Sequence, residues 1–569
     1  VRTQKYPLRF VFVFLFFISF LCFFSFKLVF IQIFHSSHLV ALAEKQHNYF
    51  LELEPIRGAI YDRHLRPLAM NIQAYSLSAN PRAMSLKDKN IALRTLPAAL
   101  GMNANIVQER LDKKKYFVWL KRKISIEEAE KIKALNIKGL NFINETKRYY
   151  PNGSLAAHLI GFAGLDNTGL EGIELFYNDY LKGQPGWSRI LRDARLKELM
   201  IGNTFVPPRD GFDVVLTIDE TIQYIAEHAL EKAYKKHHAK AASIIVMDIR
   251  TGEILALANQ PTFKIENFSR SHPESRTNRA ICFTYEPGSV FKIVTAAAAL
   301  EGNYFSEKDK IFCENGAYRV ANHTLHDHHP HGTLSFKEVF EQSSNIGVTK
   351  IAQKMGAQAV YDYARKFRFG MKTNIDIGGE VKGTLKPPRV WSKTSIGAIP
   401  IGQEVTVTQI QLLCAIAAIA NDGVYMRPFV VKYIKDSQGE IIKSFEPEMV
   451  ERVIDSDTAK RLTNILVGVV DNGTAKLAQI KGMKVAGKTG TAQKVVNGIY
   501  SHSNFYATFF GFAPADDPRV AVIVVADEPR PSYFGGTVCA PVFKEVVENT
   551  LKYLKTSESF TSLPQLVER

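Results

Sequence analysis

Seventeen consecutive residues without a charge, Phe10 to Phe26, constrain this 569-residue chain more than any other feature. As an α-helix they span roughly 26 Å, slightly short of the ~30 Å hydrocarbon core of a bilayer. Lys27 can snorkel, and Leu28 to Phe34 continues the apolar run, so residues 10–34 are expected to form a transmembrane anchor. Arg2, Lys5 and Arg9 precede it. The positive-inside bias then keeps residues 1–9 in the cytoplasm and exports everything after the span. A cleaved signal peptide is the rival reading, because Ala41-Leu42-Ala43 resembles a small-residue cleavage site. That site ends seventeen residues beyond Phe26, and the apolar run exceeds a usual signal core. No later segment has comparable apolar length, so a single pass is expected.

The exported part is globular in composition, at 46% hydrophobic and 22% charged residues, which excludes a disordered chain. Five cysteines exclude a disulfide scaffold. A net charge of +16 invites a nucleic-acid reading. Export argues against it, and no nucleic-acid partner is expected.

Two textures follow a linker at 35–53. Residues 54–213 are polar, with Lys113-Lys114-Lys115 and Lys121-Arg122-Lys123 flanking Tyr116-Phe117-Val118-Trp119-Leu120. We read these runs as a solvated face whose aromatic residues pack inward. Pro207-Pro208-Arg209-Asp210-Gly211 marks a boundary. In residues 214–556, Ala242–Asp248 and Glu253–Asn259 flank Arg250-Thr251-Gly252 as a hairpin. Phe505–Ala513 and Arg519–Ala526 form a second strand pair. Helical stretches are expected over 291–300, 337–342, 346–355 and 407–420. A last one, 541–554, aligns Phe543, Val546, Val547, Thr550 and Leu551 on one stripe. Strands, a helical block and more strands predict an α+β domain, with helices covering an antiparallel sheet. Residues 557–569 are expected to be a loose tail.

Three short motifs occur in this second region. Ser289-Val290-Phe291-Lys292 follows a Pro287-Gly288 turn and opens an apolar helix, so Ser289 and Lys292 share a face. Ser343-Ser344-Asn345 lies between two helical stretches, and Lys488-Thr489-Gly490-Thr491 lies on an expected strand. A serine hydroxyl is a weak nucleophile until a base removes its proton. Lysine serves only when neutral, and at its ordinary pKa only about one in 2,500 is neutral at pH 7, a penalty of about 4.6 kcal/mol. An apolar helix, its positive N-terminus and a second cation at Lys488 would push the Lys292 pKa down. The backbone N–H groups of Ser289 and Thr491 can form an oxyanion hole. Lys488 and Thr489 can hold a carboxylate, and Gly490 would let a substrate backbone approach closely. This chemistry requires neither a metal nor a cofactor.

The motif set, in this order and spacing, resembles that of class B penicillin-binding proteins, monofunctional peptidoglycan D,D-transpeptidases. The resemblance extends through Arg57-Gly58-Ala59-Ile60-Tyr61-Asp62-Arg63, Arg148-Tyr149-Tyr150-Pro151 and His158-Leu159-Ile160-Gly161 to Gly169-Leu170-Glu171-Gly172-Ile173-Glu174. It continues in Leu216-Thr217-Ile218-Asp219, Asn278-Arg279-Ala280 and Gly511-Phe512-Ala513-Pro514. It implies an anchored, elongated α+β pedestal of the dimerisation type over 54–213. A penicillin-binding, serine β-lactamase-like transpeptidase domain would cover 214–556. It also implies roles: Ser289 as acylated nucleophile, Lys292 as base, and Ser343 and Asn345 in proton transfer and positioning. Lys488, Thr489, Gly490 and Thr491 would bind the carboxylate of a stem peptide ending in D-Ala-D-Ala. β-Lactams are implied as inhibitors, and a membrane glycosyltransferase with other division proteins as partners at the cytoplasmic (inner) membrane. Arg192-Asp193 resembles the septal branch. Val290, where the family often has Thr, and Cys282 depart from the pattern without removing a required group. A carboxypeptidase, a β-lactamase-like hydrolase and an idle division scaffold remain alternatives.

His323, His326, His328, His329 and His331 crowd around Asp327. Zinc ligation is the sharp hypothesis and an exposed loop the favoured one. Among the extracytoplasmic cysteines a Cys282–Cys313 pair is possible, whereas Cys414 is expected to be a buried thiol. Residues 1–215 carry 30 basic and 19 acidic side chains, against 42 and 37 in 216–569. The excess charge therefore belongs to the anchor and pedestal, where anionic lipid, wall polymer or an acidic partner surface suits it.

Overall fold

The computed structural model describes residues 8–37, 39, 48–192 and 198–561. Helix α1 (Leu8–Val29) runs on through a π-helical turn, Phe30–Phe34, and buries none of its side chains. At 27 residues, Leu8–Phe34 is long and apolar enough to cross a bilayer. Ala41-Leu42-Ala43 and Asp193 lie outside the described residues.

The chain divides into two compact units. The smaller, Val1–Ile56 with Gly183–Asp210, contains a three-stranded antiparallel sheet in which Gly186–Arg192 pairs with both Asn48–Leu53 and Glu198–Val206. The larger comprises Arg57–Lys182 and Gly211–Arg569.

In the larger unit, strands β1 (Ile60–Tyr61), β2 (Pro67–Ala79), β3 (Val118–Ile124), β4 (Leu140–Tyr149) and β5 (Asp213–Leu216) share a mixed sheet. β1 runs parallel to β5, and β2 pairs antiparallel with both β3 and β4. Helices α2 (Leu86–Leu100), α3 (Ala104–Leu111) and α4 (Ile126–Lys133) close a small core of Leu77, Leu96, Leu111, Leu120 and Ile132 against it. Ser85 caps α2, and Ser125 with Glu128 forms a capping box on α4. The aromatic residues in the basic runs do not all pack inward. Leu120 is buried, but Tyr116 and Phe117 are 62% and 47% exposed, with Arg82 over the Tyr116 ring. The short segment before β3 cannot turn both rings into so small a core.

Beneath this sheet Glu174 is wholly buried between two guanidiniums. Arg57 Nε donates to one carboxylate oxygen at 2.7 Å, and Arg148 Nε and the Tyr150 hydroxyl donate to the other at 2.6 and 3.2 Å. Burial alone would raise the Glu174 pKa, but Arg148 and Arg57 together hold it below the usual carboxylate range. The glycines of the neighbouring motifs exist for close packing. A Cβ on Gly58 would lie 1.9 Å from the Phe212 carbonyl oxygen, and one on Gly169 only 1.7 Å from that of Glu174.

A five-stranded antiparallel sheet dominates the rest. Its strands are β6 (Ala241–Asp248), β7 (Ile254–Gln260), β8 (Ala486–Val496), β9 (Ile499–Ala513) and β10 (Val520–Asp527), in the order β7–β6–β10–β9–β8. Side chains alternate between two cores, as the period of a strand requires. Ile244, Val246, Val522, Val524 and Phe509 meet α5 (Glu220–Lys236) and the terminal helix Ala540–Thr561. Ile245, Met247, Ile523 and Phe510 face the opposite helical layer. That layer holds α6 (Lys292–Glu301), α7 (Asn345–Met355) and α8 (Gln409–Ala420). α8 buries every residue from Gln409 to Ile419, which is why its sequence is apolar all round. Both expected strand pairs and the expected helices form. The terminal stripe from Phe543 to Leu551 is buried, but its helix reaches Thr561, into the expected tail. α5, capped by Asp219, and α9 (Ser456–Asp471) were not anticipated.

All five cysteines are free thiols. Cys282 Sγ donates to the Asn278 carbonyl at 2.9 Å instead of pairing with Cys313, and Cys414 is buried.

Candidate active site

Ser289 sits in a 3₁₀ turn, Gly288–Phe291, that leads directly into α6. Gly288 has φ of +59°, and its N–H donates to the Gly402 carbonyl at 3.1 Å. Gly402, at φ +84°, leaves no room for a side chain, since a Cβ there would lie 2.2 Å from the Gly288 oxygen. On the other flank a Cβ on Gly490 would reach Val290 Cγ1 at 3.0 Å and the Pro287 oxygen at 3.1 Å. Gly490 thus lets β8 lie against the turn that carries Ser289.

Every residue of α6 except Glu301 is buried, including Lys292. Its ammonium is gripped from the loop that opens α7. Nζ donates to the Ser343 carbonyl at 2.6 Å, to Asn345 Oδ1 at 2.8 Å and to Ser343 Oγ at 3.2 Å. Ser343 has φ of +60°, a left-handed conformation that turns both its carbonyl and its hydroxyl toward the lysine. Lys488, on β8, donates to the same hydroxyl at 2.9 Å. Ser343 Oγ therefore accepts from two amines and keeps its own proton free to donate.

Burial lowers the Lys292 pKa to about 7, against the opposing pull of the Asp327 carboxylate. Burial and then the nearby Lys292 charge push Lys488 well below its ordinary value. Two buried ammoniums joined through one hydroxyl titrate as a pair, and each disfavours the charge of the other. The cause of the Lys292 shift is chiefly desolvation; the effect expected from a second cation falls on Lys488.

The hydroxyl of Thr489 lies 2.7 Å from that of Thr474, just beyond α9. Thr491 Oγ accepts from the Gly535 N–H at 3.2 Å. β8 is the last strand of its sheet, and the backbone that presents these threonines borders the turn that carries Ser289. Phe505, Tyr533, Phe534 and His328 form an aromatic row, with successive ring centroids 4.2, 4.5 and 5.1 Å apart.

Lys292, Ser343, Asn345 and Lys488 are thus joined by hydrogen bonds, and β8, which carries Thr489, Gly490 and Thr491, lies against the turn that carries Ser289. What the motifs did not disclose is Asp327 and the glycine and threonine supports Gly402, Thr474 and Gly535. Asp327 was hidden in the histidine-rich stretch. Among the described residues no three His, Cys, Asp or Glu side chains group as a metal site requires. His323–His326 is instead a strand pairing with Ala317–Val320, and Asp327 accepts hydrogen bonds at the start of α7.

A sequence profile of the penicillin binding protein transpeptidase domain matches residues 242–548, and one of the penicillin-binding protein dimerisation domain matches 52–216. The chain belongs to the class B penicillin-binding proteins. It is 35% identical to stage V sporulation protein D of Bacillus subtilis, over 96% of this chain and 86% of that one. It is 31% identical to the peptidoglycan D,D-transpeptidase FtsI of Escherichia coli K12, over 92% and 88%. Among solved structures, penicillin binding protein 3 of Mycobacterium tuberculosis complexed with aztreonam superposes with a TM-score of 0.70. That match has 27% identity and covers 89% of this chain and 97% of that one. In this class B member the three motifs meet where the start of α6 and the start of α7 border the edge strand β8.

Proposed function

We propose that the chain is a membrane-anchored serine D,D-transpeptidase that cross-links peptidoglycan stem peptides. The observation that carries this reading is the buried Lys292, held near neutrality one helical turn after Ser289 and hydrogen-bonded to both Ser343 and Asn345. Neutral Lys292 takes the Ser289 proton, and Oγ attacks the carbonyl of the penultimate D-Ala. The N–H groups of Ser289 and Thr491 stabilise the oxyanion. The C–N bond then breaks, and the departing D-Ala amine takes the free proton of Ser343, which Lys292 replaces through its hydrogen bond. Lys488, Thr489 and Thr491 hold the donor carboxylate, whose negative charge favours the protonated form of Lys488. An amine from a neighbouring stem resolves the acyl-enzyme. A β-lactam opens onto Ser289 by the same attack and has no leaving group to depart, so it stalls the enzyme.

The same reading places α1 in the inner membrane with the N-terminus in the cytoplasm, because basic residues precede it. It assigns residues 54–213 to the pedestal and 214–556 to the transpeptidase domain. It also assigns the enzyme to septal wall synthesis, beside a membrane glycosyltransferase that meets the anchor and pedestal. Labelling of the full-length protein by a fluorescent penicillin tests the enzymatic part. Wild type is expected to label and Ser289→Ala to remain dark. Equal labelling of both would reject the assignment of the nucleophile.

A further inference from the structure

Asp327 stands apart from the three motifs, yet it holds one of them together. It follows the strand His323–His326, and its own N–H donates to the Gly316 carbonyl at 3.1 Å, which fixes the loop. A Cβ on Gly316 would lie 2.9 Å from Pro330 Cα, so the loop is closed tightly on itself. One carboxylate oxygen accepts from the backbone N–H groups of Asn345 and Ile346 at 2.5 and 3.0 Å. The other accepts from Ser344 Oγ at 2.6 Å. These N–H groups are the first of α7, an eleven-residue helix whose start favours an anion. Asn345 Nδ2 also donates to the His326 carbonyl at 3.0 Å, so the loop grips the side chain that grips Lys292.

Resting on the serine-transpeptidase reading, we propose that Asp327 is a positioning residue for acylation. It holds Ser343 and Asn345 against Lys292 and supplies a negative charge to an otherwise cationic pocket. Three donors converge on two oxygens, and a neutral amide could accept at only one. The charge reaches the base as well, since the Asp327 carboxylate works against the desolvation of Lys292. The other charged or titratable groups facing this node are Lys488 from β8, the buried thiol of Cys313, and the Lys350–Glu314 pair. His326 and His328 flank Asp327 in sequence and are exposed.

The sign of the effect is fixed. A negative charge favours the ammonium form of Lys292, so removing it lowers the pKa of the base. The base is active when neutral, so the acid limb of the acylation profile must then move to lower pH. The test measures the rate of fluorescent-penicillin acylation against pH for the full-length protein in detergent micelles. In Asp327→Asn the limb is expected about half a unit to one unit below that of wild type, with a lower plateau. Ser344→Ala keeps the charge but removes one of its donors, together with the cap that accepts from the Gly347 N–H at 2.9 Å. Its plateau is expected to fall while its limb stays at the wild-type pH. An Asp327→Asn limb that stays in place, or rises, overturns the proposal. Should that variant fail to fold, Ser344→Ala decides, and an unchanged plateau, or a limb displaced to lower pH, contradicts the proposal. Ser289→Ala serves as the control throughout. Labelling of that variant would indict the reading of the reaction, not the role of Asp327.

Discussion

Lys292→Met is expected to slow acylation of Ser289 by about 10²–10⁴-fold, the usual contribution of a positioned general base. Methionine roughly fills the volume of the lysine stem and has no basic nitrogen. It also leaves Asn345 Oδ1 and the Ser343 carbonyl without the donor they now share. The wild-type rate should rise as pH increases through about 7, because the buried amine becomes neutral over that range. In Lys292→Met this limb should vanish along with most of the rate. Stopped-flow or gel-based acylation kinetics across pH would show both effects. A variant within about tenfold of wild type would assign the base elsewhere.

The second large effect concerns stability. Glu174→Ala removes the carboxylate that compensates two buried guanidiniums, Arg57 and Arg148. Breaking a buried pair in this way costs about 3–5 kcal/mol, since the remaining charges stay desolvated. Because Glu174 is held below the ordinary carboxylate range, its contribution is complete above the unfolded pKa. It is lost as pH falls toward the folded pKa. Thermal and denaturant melts at neutral pH should show a clear loss for the variant, and the gap to wild type should narrow in acid. An unchanged melting temperature at neutral pH would mean that the cluster is hydrated in solution.

These two effects mark what the sequence discloses and what it hides. The strands β6, β7, β9 and β10 and the terminal helix were legible because their apolar residues repeat with the period of the element that buries them. The candidate site residues are legible because a serine nucleophile would need a base, a shuttle and a carboxylate clamp, and the three motifs, in their order, offer all three. Asp327 was not, because its worth lies in three hydrogen bonds to a helix start 18 residues away, and its histidine neighbours suggested a different chemistry. Gly490 has a packing role that only the fold discloses, since Val290 and Pro287 occupy the space a side chain would need. α5 carries a start signal in Asp219, which accepts from the N–H groups of Thr221 and Ile222. Its buried stripe of Ile222, Gln223, Ala226, Ala229 and Leu230 is too weakly apolar to stand out in the sequence. The pedestal was read mainly from its charge, and charge says little about a core as small as that of Leu77, Leu96 and Leu120.

The central claim is that Ser289 becomes the acyl carrier. Mass analysis of proteolytic fragments would test it most directly, after incubating the full-length protein with a β-lactam and, separately, with a stem peptide ending in D-Ala-D-Ala. The account predicts an adduct on the fragment containing Ser289 in both cases, equal to the whole β-lactam in the first. In the second it equals the peptide less its terminal D-Ala and is released when an acceptor amine is added. An unmodified Ser289, or an adduct carried on another residue, would contradict it.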